Sequence, residues 1–477
     1  MTLFSETVEL PLWLVLLTGV LAALAFIDRL FVPSVRWMLR RRVNEAIEEL
    51  NTRLKLRISP FKLTKRQVLI ERLTFDRKVL AAVDALAQER EVPRDVVLAE
   101  AEAYAREIVP AFNAYFYYRI GYWLARRVAR LLYRVRLGFA DDEGLAAVAP
   151  ESTVVFVMNH RSNMDYVLVG YLAADRSTLS YAVGEWARIW PLQTLIRAMG
   201  AYFVRRNSRN PLYRRVLERY VFMATKNGVT QAIYPEGGLS RDGRLGAPKL
   251  GLFDYMVKRF DPRGEHDIVF VPVGINYDRV LEDRSLLLRL DPAATRRGVW
   301  HALRVTLGFV ARHLWLMVIG RWHRFGYACV NFGSPISLRD WLAGNGEDLR
   351  GLPREARFAR VEALARHLMG AVGAVVPVLP VPLVASVLLE AGEMGLSELE
   401  LKSAVLRLMR ALERTGAKVY LPRQDEDYAV TAGLRMLVER RLVSAGDGRL
   451  RVAPGEEAAV RYYANSIAHL LPQSVPA

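Results

Sequence analysis

"STVVFVMNHRSNMDYVLVGYLAA" (residues 152–174) predicts a buried β-strand, a polar turn and a helix in direct succession. The first six residues form a β-branched and aromatic run of the kind found in strands, and the apolar run that follows Asp165 has helical length. His160 and Asp165 therefore lie on a turn that joins a strand to a helix.

Short apolar strands and helical stretches continue to alternate up to about residue 340. This alternation is typical of an α/β domain, for which we expect a mixed sheet flanked by helices. Beyond residue 380 the pattern changes to helices and then to a hairpin with its turn at residues 446–448, which predicts a small winged-helix-like domain. The further strands predicted in the α/β domain are TLSYAVG, GAYFVRR, GVTQAIYP, IVFVPVGINY and YACVNFG.

The composition is that of a folded and strongly basic protein. The 477 residues are 52% hydrophobic and include 67 Lys and Arg against 50 Asp and Glu, a formal net charge of +17. These values exclude broad disorder and favour polyanions or anionic surfaces as partners, which include both nucleic acid and phospholipid. Cys329 is the single cysteine, so no intramolecular disulfide or cysteine-rich metal site exists, and its apolar strand predicts a small core residue.

Residues 10–27 form an uncharged apolar run that predicts a membrane anchor. A signal peptide is the alternative, but Glu6 and Glu9 precede the run and no Lys or Arg does. Basic residues crowd its C-terminal side, which places that side in the cytoplasm; spanning and lying in one leaflet both stay open. We divide the chain into the anchor and its basic flank (1–42), a helical region (43–140), the α/β domain (141–345) and a mostly helical C-terminal domain with the hairpin (346–477).

Residues 111–138 combine aromatic side chains in their first half with Arg side chains in their second half. Both residue types favour the headgroup layer of a bilayer, so we expect this helical segment to lie along a membrane. An amphipathic helix packed on its own domain is the alternative.

The spacing of His160 and Asp165 lets their side chains meet only if the two residues lie on a turn. Five positions of a helix would place the two side chains about 140° apart, whereas a turn lets Asp165 fold back and accept one ring N–H. The carboxylate would then fix the tautomer and leave the other nitrogen free to take a proton from a hydroxyl. The alternative is a capping box from Ser162 to Asp165, in which the carboxylate only satisfies backbone donors.

The stretch AIYPEGGLSRDG (residues 232–243) predicts a phosphate-binding loop. Gly237 and Gly238 allow backbone N–H groups to turn toward an anion, and Arg241 can fork onto phosphate oxygens. A plain glycine-rich turn is the alternative. Arg205 and Arg206 follow a predicted strand and suit a dianionic phosphate.

Four motifs follow one another along the chain: NHRSNMD, GAYFVRR, YPEGGLSR and VPVGINYD. Pro272 in the last of them predicts a strand edge or a bulge that borders the site. In this order the stretches resemble the four sequence blocks of the glycerolipid acyltransferases. Longer matches at IWPLQTLIRAMGAYFVRR, GGLSRDGRLGAPKLG and YYANSIAHLL resemble the bacterial glycerol-3-phosphate acyltransferase branch and its dihydroxyacetone-phosphate relatives.

The resemblance implies that His160 is a general base and that Asp165 orients it. Leu239 stands where the family commonly has an Arg, so one expected phosphate contact is missing, and the chain is shorter than the long bacterial members of this branch. The residues implied to bind substrate are Arg205, Arg206, Glu236, Gly237, Gly238, Ser240, Arg241, Lys249 and Pro272.

The resemblance further implies acyl transfer from acyl-CoA or acyl-carrier protein to the sn-1 hydroxyl of glycerol 3-phosphate, without a metal or another cofactor. It implies a bacterial inner-membrane enzyme with its α/β domain on the cytoplasmic side and anionic phospholipid as a partner. Dihydroxyacetone phosphate and 1-acylglycerol 3-phosphate are alternative acceptors. An inactive membrane scaffold and a basic nucleic-acid-binding protein are alternatives from other classes; because the winged-helix-like tail is not unusually basic, no nucleic-acid partner is expected.

Overall fold

The computed structural model describes residues 59–173, 179–184, 192–205, 208–288, 322–345 and 348–471, with single positions at 290, 308, 315 and 319. The predicted anchor at residues 10–27 lies outside the described residues, and so does Arg206. The chain divides into two units, Met1–Leu54 and Lys55–Ala477, and the described residues belong to the second. The predicted boundaries at residues 140 and 345 stay predictions.

A mixed eight-stranded sheet forms the centre of the described chain. Its order is β1-β7-β6-β2-β5-β3-β4, with β8 beside β6. The five strands β6, β2, β5, β3 and β4 are parallel, whereas β7 and β8 run antiparallel to β6, so the expected mixed α/β fold is confirmed. The strands are β1 (Arg134–Ala140), β2 (Thr153–Met158), β3 (Ser180–Gly184), β4 (Tyr202–Val204), β5 (Gln231–Ile233), β6 (Ile268–Tyr277), β7 (Tyr327–Phe332) and β8 (Ile336–Ser337).

Helices precede, connect and follow these strands. None of the helices in the described ranges is long and apolar enough to cross a bilayer. Before and within the sheet they are α1 (Pro60–Leu63), α2 (Arg66–Thr74), α3 (Arg77–Arg90), α4 (Arg94–Ile108), a π-helical turn (Phe116–Gly121), α5 (Tyr122–Leu132), α6 (Asp142–Ala146), α7 (Met164–Ala173), α8 (Leu192–Ala198), α9 (Pro211–Lys226), α10 (Gly251–Val257) and α11 (Asp283–Leu288). After the sheet come α12 (Leu338–Asn345), α13 (Arg354–Ala374), α14 (Pro380–Ala391), α15 (Glu398–Arg414), α16 (Glu426–Glu439), the hairpin β9 (Val443–Gly446) and β10 (Arg449–Val452), and α17 (Glu457–Ala464).

Strand β2 shows how the sheet is covered on both faces. Val154, Phe156 and Met158 pack into one hydrophobic cluster with α7 and the C-terminal helices α14 to α17. Val155 and Val157, on the opposite face, pack into a second cluster with the N-terminal helices α2 to α4 and with α9, α10 and α13. Each fully buried side chain of this size contributes roughly 1.5–3 kcal/mol. The continuous apolar run is therefore explained by a strand that has no solvent face.

Two strands were not predicted from the sequence, β1 and β8. The segment 111–138 was expected to be helical throughout, but its helix α5 ends at Leu132 and β1 follows, paired with β7. Most β1 side chains are exposed or half-buried because the strand lies at the sheet edge, so no continuous apolar run marks it. Cys329 in β7 is buried, as predicted, and burial raises the pKa of its thiol to about 12.

The predicted strand edge at Pro272 is wrong. Strand β6 lies inside the sheet, and Pro272 stands opposite Val157 of β2. On its other side β6 changes partner, because Phe270 pairs with β8 and Val273 pairs with β7. A residue without an N–H is tolerated in the gap between those two pairings. Its carbonyl accepts the N–H of Gly333 at 2.8 Å.

Candidate active site

The carboxyl ends of the parallel strands bring the four sequence blocks to one edge of the sheet. β2 ends two residues before His160, β4 ends directly before Arg205, β5 ends directly before Tyr234, and β6 ends at Tyr277. Because parallel strands have their carboxyl ends on the same edge, these residues share the side of the sheet where α/β folds bind ligands.

The side chains of His160 and Asp165 are in contact on the turn between β2 and α7. His160 Nδ1 lies 2.8 Å from Asp165 Oδ2, and both residues are almost completely buried, with exposed fractions of 1% and 0%. The same carboxylate oxygen accepts the backbone N–H groups of Arg161 at 2.7 Å and Ser162 at 3.1 Å. The carboxylate therefore caps the turn and also contacts the imidazole, so the alternative in which it only satisfies backbone donors is wrong.

A residue from β6 completes the hydrogen bonding of Asp165. The Tyr277 hydroxyl donates to Asp165 Oδ1 at 2.6 Å. Burial, together with the neighbouring carboxylate, raises the pKa of Tyr277 well above its ordinary value, so the hydroxyl remains a donor. Two backbone N–H groups on Oδ2 and the Tyr277 hydroxyl on Oδ1 hold the Asp165 carboxyl group in place beside His160 Nδ1, which favours the tautomer with its proton on Nδ1.

The second ring nitrogen of His160 is left available for chemistry. His160 Nε2 is buried and has no hydrogen-bond partner among the described residues. The ring stacks on Tyr234 with centroids 4.0 Å apart and meets the edge of Tyr166 at 5.4 Å. An imidazole that is fixed by packing on two sides, with one free nitrogen, has the arrangement of a general base.

Glu236 joins the His–Asp turn to the glycine-rich loop. Its Oε1 accepts the N–H of His160 at 2.9 Å, and its Oε2 accepts the N–H of Gly246 at 2.9 Å. Burial raises the pKa of Glu236 to about 7. The Ser240 N–H donates to the His160 carbonyl at 2.9 Å, so two hydrogen bonds tie the backbone of His160 to the loop. Glu236 was predicted to bind substrate. In the structure its carboxyl group links the backbone of His160 to that of Gly246.

The loop itself uses several of the groups predicted to bind phosphate. The Gly237 N–H donates to the Tyr234 carbonyl, so it is not turned toward an anion. The Ser240 hydroxyl donates to the carbonyl of Arg244 at 2.7 Å and accepts the N–H of Gly243 at 3.1 Å. Both groups therefore stabilise the loop, and the predicted inward-facing N–H at Gly237 is wrong.

Three cations of the same loop have no such internal use, the predicted Arg241 and Lys249 together with Arg244. Arg241 and Lys249 are exposed, and both line a cavity of about 510 Å³ together with Gly238. Lys249 lies against Gly237, where a Cβ would come within 2.6 Å of its side chain. Leu239 is partly buried and packs against the hydrophobic core, which explains how an apolar residue fits where the family commonly has an Arg.

The structure places Arg205 in an ion pair. Its guanidinium donates to the carboxylate of Glu107 at 2.9 and 2.6 Å, and its charged end lies 5.2 Å from the ring centres of both Tyr104 and Tyr213. The Glu107 carboxylate raises the pKa of Arg205. Its predicted partner Arg206 lies outside the described residues. The role of both in substrate binding stays a prediction.

Sequence reasoning missed several residues that shape the turn. Glu282 accepts the Ser162 hydroxyl at 2.7 Å and the N–H of Asn163 at 3.1 Å. Arg161 is buried, donates to the Gly243 carbonyl, and lies 4.8 Å from the ring centre of Tyr462. Tyr277 could have been found from its place at the end of a strand parallel to β2, but nothing near Glu282 in the sequence marks its role.

The described residues contain no cluster of three or more His, Cys, Asp or Glu that could hold a metal ion. The expected absence of a metal cofactor stays a prediction. What the residues at the sheet edge provide is a buried His–Asp pair, a free imidazole nitrogen and a neighbouring basic loop. This combination has the chemistry of a general base next to a group of cations, which suits an acceptor that carries negative charge.

Comparison with known proteins narrows this class. Residues 140–276 match the family model described as Acyltransferase, and residues 314–474 match the one described as Glycerol-3-phosphate acyltransferase C-terminal region. The two regions together span more than half of the chain. The chain is therefore similar to acyltransferases over the first region and to glycerol-3-phosphate acyltransferases over the second.

Several curated relatives carry the name glycerol-3-phosphate acyltransferase. The protein from Xanthomonas axonopodis pv. citri is 28% identical over 429 residues, 86% of this chain and 46% of its own length. Those from Pseudomonas syringae pv. syringae and Pseudomonas putida are 30% and 29% identical over 69% and 86% of this chain, and over 39% and 49% of their own lengths. The chain thus spans about half the length of these relatives. The solved 1-acyl-sn-glycerophosphate acyltransferase of Thermotoga maritima is 16% identical, covers 64% of this chain and 96% of its own, and has a TM-score of 0.31.

Proposed function

We propose that this chain transfers a fatty acyl group from a thioester donor to the sn-1 hydroxyl of glycerol 3-phosphate. The observation that carries the proposal is the buried His160, which is fixed at Nδ1 by Asp165 and has no partner for Nε2 among the described residues. The names of the relatives and the two matching family models support the choice of acceptor.

The chemistry follows from the free nitrogen. His160 Nε2 takes the proton of the acceptor hydroxyl while the hydroxyl oxygen attacks the thioester carbonyl. Collapse of the tetrahedral intermediate breaks the carbon–sulfur bond, and the thiolate that leaves takes up a proton from the imidazolium. Asp165 stabilises the positive charge that develops on the ring. No acyl-enzyme is formed, because the acceptor itself is the activated nucleophile.

The acceptor phosphate has two of the predicted partners in the described loop. Arg241 and Lys249 are exposed, line one cavity and follow the strand next to β2. A guanidinium and an ammonium can hold a dianionic phosphate while its glycerol end reaches the imidazole. In this proposal Gly238, Ser240 and Glu236 shape the loop and so position these two cations.

Competition among acceptors tests this proposal. The detergent-purified chain is given palmitoyl-CoA or palmitoyl-acyl-carrier protein with glycerol 3-phosphate, dihydroxyacetone phosphate and lysophosphatidate together. We expect the largest kcat/KM for glycerol 3-phosphate. A larger kcat/KM for one of the other two acceptors would make that molecule the assigned acceptor. If none of the three is acylated with either donor, the proposed activity is refuted.

We also propose that the chain works on a membrane surface, with residues 10–27 as its anchor and the cytoplasmic leaflet of a bacterial inner membrane as its location. Helix α5 supports contact with lipid, because Trp123 and Leu131 are exposed beside the exposed Arg126 and Arg130. Apolar side chains flanked by Arg suit the interface of an anionic bilayer.

Vesicle binding tests the lipid contact of α5. We expect Trp123→Ser combined with Leu131→Ser to lower the fraction of the full chain bound to anionic vesicles several-fold at high salt, where apolar contact dominates. Equal binding of the variant and the wild type would show that this face does not touch lipid.

A further inference from the structure

The end of helix α17 and the residues after it, together called the tail segment (residues 462–469), contact the glycine-rich loop. The Asn465 side-chain amide donates to the Asp242 carbonyl at 2.8 Å. The Tyr462 carbonyl lies against Gly243, where a Cβ would come within 2.0 Å of the carbonyl oxygen. Gly243 also has a φ of +91°, which glycine adopts without a steric cost. The tail segment thus contacts two consecutive residues of the loop.

Arg161, which directly follows the base, takes part in the same contact. Its guanidinium donates to the Gly243 carbonyl and lies 4.8 Å from the ring centre of Tyr462. Arg161 is buried, and its Nε and Nη2 atoms have no hydrogen-bond partner among the described residues. Because a buried guanidinium with unused donors is costly, the contact with the Tyr462 ring helps to hold it in place. The catalytic turn, the loop and the tail segment therefore meet at Gly243.

Buried hydrogen bonds fix the tail segment to the end of β6. The side-chain amide of Asn276 in β6 donates to the Ser466 hydroxyl at 3.1 Å. The Tyr463 hydroxyl accepts the N–H of Val280 at 3.1 Å and donates to the Asp283 carboxylate at 2.5 Å. All five residues are buried. Because β6 is paired with β2, which leads to the base, the tail segment has a fixed position relative to the base.

The position of Arg241 is set by the residues on either side of it. On one side, the Ser240 N–H donates to the His160 carbonyl at 2.9 Å. On the other side, the Asp242 carbonyl accepts the amide of Asn465. The Arg241 side chain itself is exposed, so packing does not fix it. The distance between its guanidinium and the base therefore depends on both neighbouring contacts.

We infer that Asn465 is a positioning residue of the acceptor site. Its hydrogen bond to the Asp242 carbonyl places the Arg241 guanidinium where it meets the acceptor phosphate while the sn-1 hydroxyl lies at the base. The inference rests on the proposed function, because it names a residue that organises the acceptor site of that same reaction. Asn465 acts through Arg241 and does not touch the substrate. Asn465 and Asp242 lie 223 positions apart, so the C-terminal region completes a site that the α/β domain begins.

A double-mutant cycle on glycerol 3-phosphate binding tests the inference. Calorimetry on the full-length, detergent-purified chain compares the wild type, Asn465→Ala, Arg241→Ala and the double variant, with no thioester present. The matched control is Asn345→Ala at the end of α12, which removes a similar hydrogen bond from a side-chain amide to the Trp341 carbonyl at 2.6 Å. Circular dichroism first establishes that every variant is folded.

We expect Asn465→Ala to raise the Kd for glycerol 3-phosphate about threefold, because the loss of one hydrogen bond lets the loop shift. In the Arg241→Ala background the same change should have almost no effect, since residues that act as a unit are coupled in such a cycle. Steady-state kinetics of Asn465→Ala should show a KM for glycerol 3-phosphate that rises by a similar factor and a kcat that is nearly unchanged. The control variant should match the wild type.

Three results would overturn the inference. The Kd could be the same in Asn465→Ala and the wild type; the loss could persist in the Arg241→Ala background, so that Asn465 would not act through Arg241; or Asn345→Ala could weaken binding equally, which would make the effect a general loss of stability. A wild type that binds no glycerol 3-phosphate would overturn it as well, because the loop would then hold no acceptor. Since binding is measured without a donor, a chain that shows the expected coupling but acylates no glycerol 3-phosphate would refute only the proposed function.

Discussion

The His160–Asp165 turn and the loop of residues 236–249 face each other at one edge of the sheet, but they are built differently. In the turn, the carboxylate of Asp165 has four donors and the imidazole is held by packing and by one hydrogen bond. In the loop, Arg241 and Lys249 are exposed and have no ion-pair partner among the residues described. Under the proposed function, the difference means that proton transfer relies on a rigid, buried geometry, whereas the anion of the acceptor contacts exposed side chains that can adapt.

The largest effect should come from removing the base. We expect His160→Ala to lower kcat/KM for glycerol 3-phosphate by about 10²–10⁴-fold, the range for loss of a general base. The comparison also predicts that glycerol 3-phosphate binding, measured by calorimetry, changes little in this variant. A variant that keeps more than half of wild-type activity would contradict the assignment.

A smaller effect should follow loss of the Tyr277 hydroxyl. Tyr277→Phe leaves Asp165 Oδ1 without its donor in a buried site, and we expect kcat to fall about tenfold with an unchanged KM. Tyr133→Phe is the matched control, because the Tyr133 ring packs on Tyr277 while its hydroxyl donates to the Arg279 carbonyl. Equal losses in the two variants would mean that Tyr277 acts through packing alone.

In the loop of residues 236–249, Arg241→Ala should raise the KM for glycerol 3-phosphate about fivefold and leave kcat nearly unchanged. The loss is modest because Lys249 can still contact the phosphate. Arg241→Lys should recover part of the affinity. Steady-state kinetics would contradict this account if Arg241→Ala lowered kcat more than it raised KM.

The last prediction concerns stability and not activity. Burial raises the pKa of Glu236 to about 7, so the folded protein holds a proton that the unfolded chain releases near pH 4.5. Its stabilisation is complete below pH 4.5 and is lost as the pH rises through 7. Between pH 5 and 8 we expect the wild type to lose about 2 kcal/mol of unfolding free energy relative to Glu236→Gln. Parallel urea midpoints of the two proteins across this range would refute the prediction.

The sequence predicted the parts of the fold that have a strong local signal. Continuous apolar runs marked β2 and β6 because both are covered on two faces. The half-exposed β1 at the sheet edge and the two-residue β8 carry no such run, so they were missed. Pro272 was read as a strand edge or a bulge because the change of partner strand on one side of β6 is set by distant residues.

The same distinction applies to the site. The contact of His160 with Asp165 follows from a local turn and could be predicted. Tyr277 lies 112 positions from Asp165, and Glu107 lies 98 positions from Arg205, so neither pairing has a local signal. Arg205 was therefore predicted as a phosphate ligand while the structure gives it a carboxylate partner. Tertiary contacts therefore determine which of the predicted cations are left without a carboxylate partner and can contact a phosphate.

The measurement that tests the central claim most directly is a double-mutant cycle on the buried pair. Acyl transfer to glycerol 3-phosphate is compared in the wild type, His160→Ala, Asp165→Asn and the double variant, each shown to be folded. If Asp165 acts through His160, the double variant should be no slower than His160→Ala alone, because residues that act as a unit lose their effect together. Losses that multiply in the double variant would contradict the account, since Asp165 would then have a role that does not pass through the imidazole.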